Sequence, residues 1–375
     1  MIKNLKISEF VVYLISIMLT TLALFIPRRQ DYVYYIEHWR IIREGNDPYI
    51  NTDNAYGIVY NYFAYIDFSE IISLPRALFV IAYLIASFII YKSSKKLKLP
   101  SSSRWILLFV LFLNPLLLFY CLKYGSNDLF LSGLVIMAFY LLEKKYLIWA
   151  GITFGLSIGF KFTPVFIVPF FFLVKNKLNW RFITSLGVSV VLIFLIGYLH
   201  WGETIFEPFK FGSARESKVF SFFRFIRGSL SPFQVNLDGY STYLVLLSAL
   251  SCFFFYVKYK LDKYLMALLT FSCVLLFYKV GHPQFYILLL LLTVFTFVMN
   301  HDLIIKSKAL LISTILFWSW IFFFTILYDY TYGFSEKVHI IRDFLGLPTA
   351  IIHILFNYQL IQFIRKKRRI KISQD

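Results

Sequence analysis

Residues 182–200 read FITSLGVSVVLIFLIGYLH, a run with no acid, lysine or arginine. At 1.5 Å per residue, such a run is about as long as the hydrocarbon core of a bilayer is thick, roughly 30 Å. It lacks the apolar/polar alternation of a barrel strand, and backbone amides in lipid must be satisfied within their own segment, so the run predicts a helix. Comparable runs lie outward from it near 8–26, 76–92, 104–122, 127–143, 146–160, 162–175, 241–257, 264–279, 283–300, 308–327 and 345–364. Together they predict an all-α fold, a polytopic transmembrane helical bundle of about twelve spans. The 59% hydrophobic content and mean hydropathy of +0.70 agree. No small-residue cleavage site follows Phe25 and Ile26, so the first run is read as a retained span. The spans are read as one domain over residues 1–375.

The loops alternate in charge. Lys3 and Lys6, then Lys92 to Arg104, Lys144 and Lys145, Lys175 to Arg181, Lys258 to Lys263, Lys306 and Lys308, and the Arg365–Lys371 tail mark one face. By the positive-inside rule that face is cytoplasmic and holds both termini. A net charge of +18 often signals nucleic-acid binding, but these bases flank spans and no groove-lining motif accompanies them, so no nucleic acid is expected. Cys121, Cys252 and Cys273 lie in or beside spans, which argues against a disulfide framework or a structural zinc site. The outer loops carry no N-glycosylation sequon, and a plasma membrane is the expected location.

Elaboration is concentrated on the outer face, in residues 27–75, 201–240 and 328–344. The first of these loops holds seven of the chain's 20 acids: Asp31, Glu37, Glu44, Asp47, Asp53, Asp67 and Glu70. Within it, Tyr32, Tyr35, Ile36, Trp39 and Ile42 recur at three-to-four spacing and predict an interfacial helix over 31–44. Gly45 stops that helix, and Asn46-Asp47-Pro48-Tyr49 turns the chain. Phe220 to Arg227 mixes aromatic residues with Arg224 and Arg227, which suits headgroup anchoring or contact with an anionic headgroup. Gly151, Gly155 and Gly159 form a stripe that admits another helix at close range. Lys161 follows one turn later, where a cation either snorkels to the interface or meets an anion such as a ligand phosphate.

In order, the features are Asp31-X-X-X-Tyr35, Gly45-Asn-Asp-Pro48-Tyr49, Tyr60-Asn-Tyr62, Asn114-Pro115, Gly125-Ser-Asn127-Asp128, Gly155-X-X-X-Gly159-Phe-Lys161-X-Thr-Pro164 and His282-Pro-Gln284-X-Tyr286. This series resembles the GT-C-type glycosyltransferases, above all the polyprenyl-phosphate-mannose-dependent mannosyltransferases, over roughly residues 8–300. The resemblance implies a bundle of many membrane helices with an essential acid in the first outer loop, a position that Asp31 matches. It also implies a sugar donor on a polyprenyl phosphate and a glycan or glycolipid acceptor, with membrane lipids around both. Some relatives carry paired acids at that position. Here Arg28-Arg29-Gln30-Asp31 offers no second one, so no metal and no other cofactor is expected. His282, Gln284 and Tyr286 match a polar group that the family places at the outer end of a late span.

The chemistry of such a transfer needs a base near the acceptor hydroxyl, an anion near an oxocarbenium-like transition state, and cations at the departing phosphate. Asp31 is the candidate base. Lys161, Lys279, His282, Arg224 and Arg227 are the candidate phosphate partners. Asp128, Gln284, Tyr286, Tyr49 and Tyr60 are candidate substrate contacts, with Tyr56 and Tyr62 beside them. Asp31 reads equally as a first-turn acid favoured by the helix dipole, and Asn127 and Asp128 as caps of the fourth span. Two other classes remain open at this stage: a lipid or polysaccharide transporter or flippase, and a non-catalytic scaffold for surface-glycan assembly. Visible repeat symmetry, which favours transport, is missing from the sequence.

Overall fold

The structure, a computed structural model, describes residues 7–27, 29, 31–67, 69, 71–174, 177–228, 231–331, 344 and 346–372. Their helices are α1 (Ile7–Phe25), α2 (Asp31–Arg43), the one-turn α3 (Ile58–Asn61), α4 (Leu74–Lys96), α5 (Ser101–Phe112), α6 (Asp128–Glu143), α7 (Leu147–Phe160) and α8 (Trp180–Trp201). There follow α9 (Glu207–Ala214), α10 (Phe222–Arg227), α11 (Tyr240–Tyr259), α12 (Lys263–Phe277), α13 (Tyr286–Met299), α14 (His301–Ile305), α15 (Lys308–Thr331) and α16 (Gly346–Ile372). Among the described residues, strand is confined to two short pairs. β1 (Leu173–Val174) runs antiparallel to β2 (Lys177–Leu178), and β3 (Lys218–Val219) runs parallel to β4 (Val280–Gly281).

Among the described residues, six helices are long and apolar enough to cross a membrane: Leu74–Lys96, Ser101–Leu122, Trp180–Gly212, Tyr240–Tyr259, Lys308–Leu327 and Gly346–Arg368. Shorter apolar helices cover Phe10–Phe25, Leu147–Phe160, Lys263–Phe277 and Pro283–Met299. Large apolar side chains of α8 such as Val191, Leu195 and Leu199 are exposed, which in water would be a liability and in lipid is the expected outer surface.

One expected span is not a helix. Residues 162–175 form two 3₁₀ turns, Thr163–Phe166 and Val168–Phe171, and then enter the β1–β2 hairpin. Pro164 and Pro169 withhold the amides that a continuous helix needs, so an apolar run of the right length folds otherwise. The glycine stripe shows where this segment must travel. A Cβ on Gly151 would lie 2.7 Å from the Phe182 carbonyl oxygen, one on Gly155 2.6 Å from Ser189 Cβ, and one on Gly159 2.8 Å from Ile193. The contacts advance together along both chains, so α7 and α8 are parallel. The connection from Phe160 to Trp180 therefore spans the length of α7, and its described part does so without a continuous α-helix. Irregular backbone at membrane depth is tolerated where protein covers it. Ile167, Phe170 and Phe171 are buried accordingly, and the Tyr256 hydroxyl donates to the Phe170 carbonyl at 2.8 Å.

The chain divides into two compact units: Met1–Pro164 with Trp180–Gly212, and Val165–Asn179 with Ser213–Asp375. In the first, α4 and α6 meet at Gly133, where a Cβ would come within 2.8 Å of Ala82 Cβ. Pro115 cannot donate to the carbonyl of Leu111; the Tyr83 hydroxyl does so instead at 2.7 Å, and Asn114 bonds that hydroxyl at 3.1 Å. Past this break the chain continues as a π-helical turn, Leu116–Leu122, towards the Gly125 turn and Asp128 at the start of α6.

Candidate active site

In the first unit, α2 begins at Asp31, whose carboxylate lies in the first turn where the helix dipole favours it. The aromatic stripe expected to rest in the interface is covered by protein instead. Tyr32, Tyr35, His38, Trp39 and Ile42 are buried, and Trp39 Nε1 donates to the Tyr60 carbonyl at 3.2 Å. Tyr35, Tyr56, Tyr60 and Trp39 pack with ring centroids 4.4–6.1 Å apart. Gly45 ends α2 with φ of 81°, as its sequence position implies.

The loop after α2 docks on the end of α7. The Gly57 amide donates to the Phe160 carbonyl at 3.1 Å, and a Cβ on Gly57 would overlap the Gly159 carbonyl. This docking brings Tyr56 to Lys161, whose Nζ lies 5.9 Å from the Tyr56 ring centroid. The Tyr56 hydroxyl in turn donates to that of Tyr35 at 3.3 Å. The charge of Asp31 reaches both Tyr35 and Tyr60, and burial, the larger effect, raises both phenols well above their ordinary value, so both remain neutral.

Lys161 neither snorkels nor stands alone. Its Nζ donates to Asp128 Oδ1 at 2.7 Å, with the two side chains only 12% and 3% exposed. Ser126 holds the other end of the carboxylate, Oγ to Oδ2 at 3.3 Å, and also accepts from the Asp128 amide. Asp128 is therefore a partner of Lys161. Asn127 holds the N-cap position of α6 but makes no side-chain cap bond, so the capping reading fails for it. Gly125 turns the chain with φ of 64°, and a Cβ there would lie 2.5 Å from the Tyr32 ring. The Gly-Ser-Asn-Asp turn and the first residues of α2 are thus in contact. Asp31, Tyr35, Tyr56, Lys161 and Asp128 form one array.

Arg76, at the start of α4, is a member of this region that sequence reading missed. It is fully buried, donates from Nη1 to the Ile26 carbonyl at 2.6 Å, and lies 4.2 Å over the Tyr32 ring. Its signal was available: an arginine directly after Pro75 on the predicted outer face runs against the positive-inside bias. Burial pushes the Tyr32 hydroxyl up to about 12, with Asp67 adding to the shift and Arg76 opposing it. Tyr49 and Tyr60 are buried at 4% and 0% exposure, so they form walls of the region and present no open face to a substrate.

The remaining candidates belong to the second unit. Parallel pairing of β3 with β4 sets Lys218 opposite Val280, and the Lys218 amide donates to the carbonyl of the preceding Lys279 at 2.9 Å. Arg227 on α10 meets Glu216 at 3.0 Å and Asp238 at 3.6 Å, so its charge is already matched by two carboxylates. Lys279 is buried, which lowers its ammonium group, while Asp238 acts in the opposite sense. Arg224 faces the same polar group, since its charge also acts on Glu216. His282 precedes the turn Pro283–Phe285, where Gln284 is buried. Tyr286 opens α13 inside an aromatic cluster, 5.4 Å from Phe220.

A family model described as Glycosyltransferase family 87 matches residues 71–299. That range includes Arg76, Asp128, Lys161, Arg224, Arg227, Lys279, His282, Gln284 and Tyr286, and begins after Asp31, Tyr49 and Tyr60. The chain is also similar to a protein of Candida albicans (strain SC5314 / ATCC MYA-2876) named GPI mannosyltransferase 1, at 23% identity over 174 residues. The similarity covers 43% of this chain and 42% of that relative, so the chain spans less than half the length of the curated relative it matches.

Proposed function

The chain belongs to glycosyltransferase family 87, and on that premise we propose that it transfers a hexose, mannose foremost, from a polyprenyl-phosphate donor to a glycan or glycolipid outside the cytoplasm. It does so as a multi-pass protein of the plasma membrane, with both termini cytoplasmic and the reaction on the outer face. Asp31 accepts the proton of the acceptor hydroxyl as that oxygen attacks the anomeric carbon. The bond from that carbon to the phosphate oxygen breaks, and the polyprenyl phosphate leaves with the electron pair. A single displacement of this kind inverts the anomeric centre.

The observation that supports this reading is the array in the first unit, in which a half-buried carboxylate and a buried cation are linked through Tyr35 and Tyr56. Burial keeps the Tyr35 and Tyr60 phenols neutral, which leaves Asp31 as the base beside them. Lys161 offsets charge on the leaving phosphate while Asp128 holds it in place. In the second unit, Arg224 and Lys279 form a separate cationic group suited to a lipid phosphate, beside Arg227 with its two carboxylates, with His282 and Gln284 as further polar contacts and Tyr286 as a wall behind them.

Transfer from radiolabelled mannosyl-phosphoryl-polyprenol in reconstituted vesicles, with extracted lipids as acceptors, tests the proposal. Native protein is expected to transfer, and an Asp31→Asn variant of equal yield and thermal stability to lose at least about a hundredfold in rate. Transfer that persists in the variant removes Asp31 as the base.

A further inference from the structure

Beyond the C-terminal end of α2 the first unit holds a cavity of about 300 Å³, lined by Asn46, Asp47, Tyr65, His200 and Trp201 among others. We propose that this cavity is a carbohydrate subsite that binds a sugar ring of an extended acceptor glycan. The inference rests on the transferase reading given above.

Three features point to a pyranose. First, Asp47 is oriented before any ligand arrives. Its Oδ1 accepts from the Tyr49 amide at 2.8 Å and its Oδ2 from Thr204 Oγ1 at 2.6 Å. Each carboxylate oxygen keeps a further lone pair for a sugar hydroxyl, and bonds to an ionised acceptor are the stronger kind. Second, the rings of His200 and Trp201 are stacked at 7° with centroids 4.9 Å apart, and Tyr62 adjoins both. The Tyr62 hydroxyl bonds His200 Nδ1 at 3.1 Å, which fixes the imidazole and leaves Nε2 as its other hydrogen-bonding atom. The exposed rings of His200 and Tyr65, backed by the buried Trp201 and set beside fixed polar groups, suit the apolar C–H face and equatorial hydroxyls of a sugar. Third, Asp47 has no ion-pair partner among the described residues, so the cavity disfavours a phosphate.

Size and position define what is held. A cavity of about 300 Å³ is at the small end of ligand sites and takes a single ring. Its rim is open, since Tyr65 is 54% exposed and His200 is exposed as well. Asp31 and the cavity lie at opposite ends of α2, whose 13 residues make about 20 Å of helix. An oligosaccharide bridges that distance and a monosaccharide does not, so the acceptor is a chain of several sugars held at both ends.

Saturation-transfer NMR on the full chain in lipid nanodiscs tests this without requiring turnover. The probes are α-linked mannotriose, methyl α-mannopyranoside and methyl α-glucopyranoside, with glycerol 3-phosphate as competitor. Native protein is expected to transfer saturation to pyranose protons of at least one sugar. Binding should weaken about tenfold in Asp47→Asn and in Tyr65→Ser. Tyr65 is exposed, so its variant folds even if Asp47→Asn does not. Absence of sugar binding by the native protein, equal binding by the Asp47 and Tyr65 variants, or displacement by glycerol phosphate but not by sugars would each overturn the subsite. Failure of the transferase reading has a different signature: sugar binding that depends on Asp47 and Tyr65, with no transfer from any polyprenyl-phosphate donor.

Discussion

The Lys161–Asp128 and Arg227–Glu216 pairs join the same charge types at similar distances, 2.7 and 3.0 Å, in opposite surroundings. In the first pair both side chains are almost wholly enclosed. In the second, Glu216 is 68% exposed and its arginine shares a second acid, Asp238. Burying two charges costs several kcal/mol per ion before their attraction returns anything, whereas an exposed pair is worth little in either direction. The enclosed pair therefore carries a cost that the exposed one does not, and on the proposed reading it is kept because Lys161 serves the leaving phosphate.

The largest effect tests the enclosed pair directly. Lys161→Met leaves the Asp128 carboxylate buried without its cation, and is expected to lower stability by about 3–5 kcal/mol, read as a fall in melting temperature in detergent. Asp128→Asn alone strands the lysine and should cost a comparable amount. The double variant should recover part of the loss, giving a coupling energy well above the 0.5 kcal/mol or so typical of independent sites. Additive losses would mean that the two side chains do not act as a pair.

The pairing was out of reach of the sequence, and the reason is physical. Asp128 opens α6 and Lys161, 33 positions on, follows the end of α7, and what joins them is packing: the Gly125 turn against Tyr32, and the Gly57 loop against the end of α7. Local features were legible. The stripe from Tyr32 to Ile42 gave α2 and its end at Gly45, because helical periodicity and a glycine stop are written within one turn. The glycine stripe of α7 announced a close neighbour but not which helix, nor that it would be parallel. Residues 162–175 misled because hydropathy measures solvent preference, while Pro164 and Pro169 govern backbone bonding. Arg76 and the His200–Trp201 stack were hidden for a related reason: each lies at the end of an apolar run, where a span boundary was explanation enough.

A titration sharpens the same comparison between enclosed and exposed charge. His38 is buried on α2, and burial holds its imidazole down to about 4 against an ordinary 6.5, with Asp53 opposing. The unfolded chain binds the proton first, so stability is intact above pH 6.5 and is lost as pH falls towards about 4. That interval corresponds to about 3 kcal/mol. Melting temperature followed from pH 7 to 4 should fall steeply in the native protein and less in His38→Gln. Next in size is Gly57→Ala, where the backbone angles suit alanine and only the overlap with the Gly159 carbonyl opposes it. The added methyl should cost about 1–3 kcal/mol and move Tyr56 away from Lys161, lowering transfer by more than the loss of stability explains. Unchanged transfer in a folded Gly57→Ala protein would remove the loop docking from the site.

The smallest effect belongs to the exposed pair. The hydrogen bond and charge of Arg227 hold the Glu216 carboxyl below its ordinary 4.5, and Lys218 and Arg224 add to this. A depressed carboxyl contributes stability above the unfolded value and loses it as pH falls through the folded one. Any contribution from Glu216 is therefore present at neutral pH and disappears in acid. Its exposure lets salt screen most of it, so Glu216→Gln is expected to shift the melting temperature only slightly at low salt and pH 7. At physiological ionic strength, or at a pH below the carboxylate range, no difference should be measurable. A loss that survives high salt and matches that of Lys161→Met would break the comparison, because it would mean that the Arg227 group is as enclosed in the membrane as the Asp128 pair. The cations proposed for the lipid phosphate would then have to be judged by the same standard as Lys161.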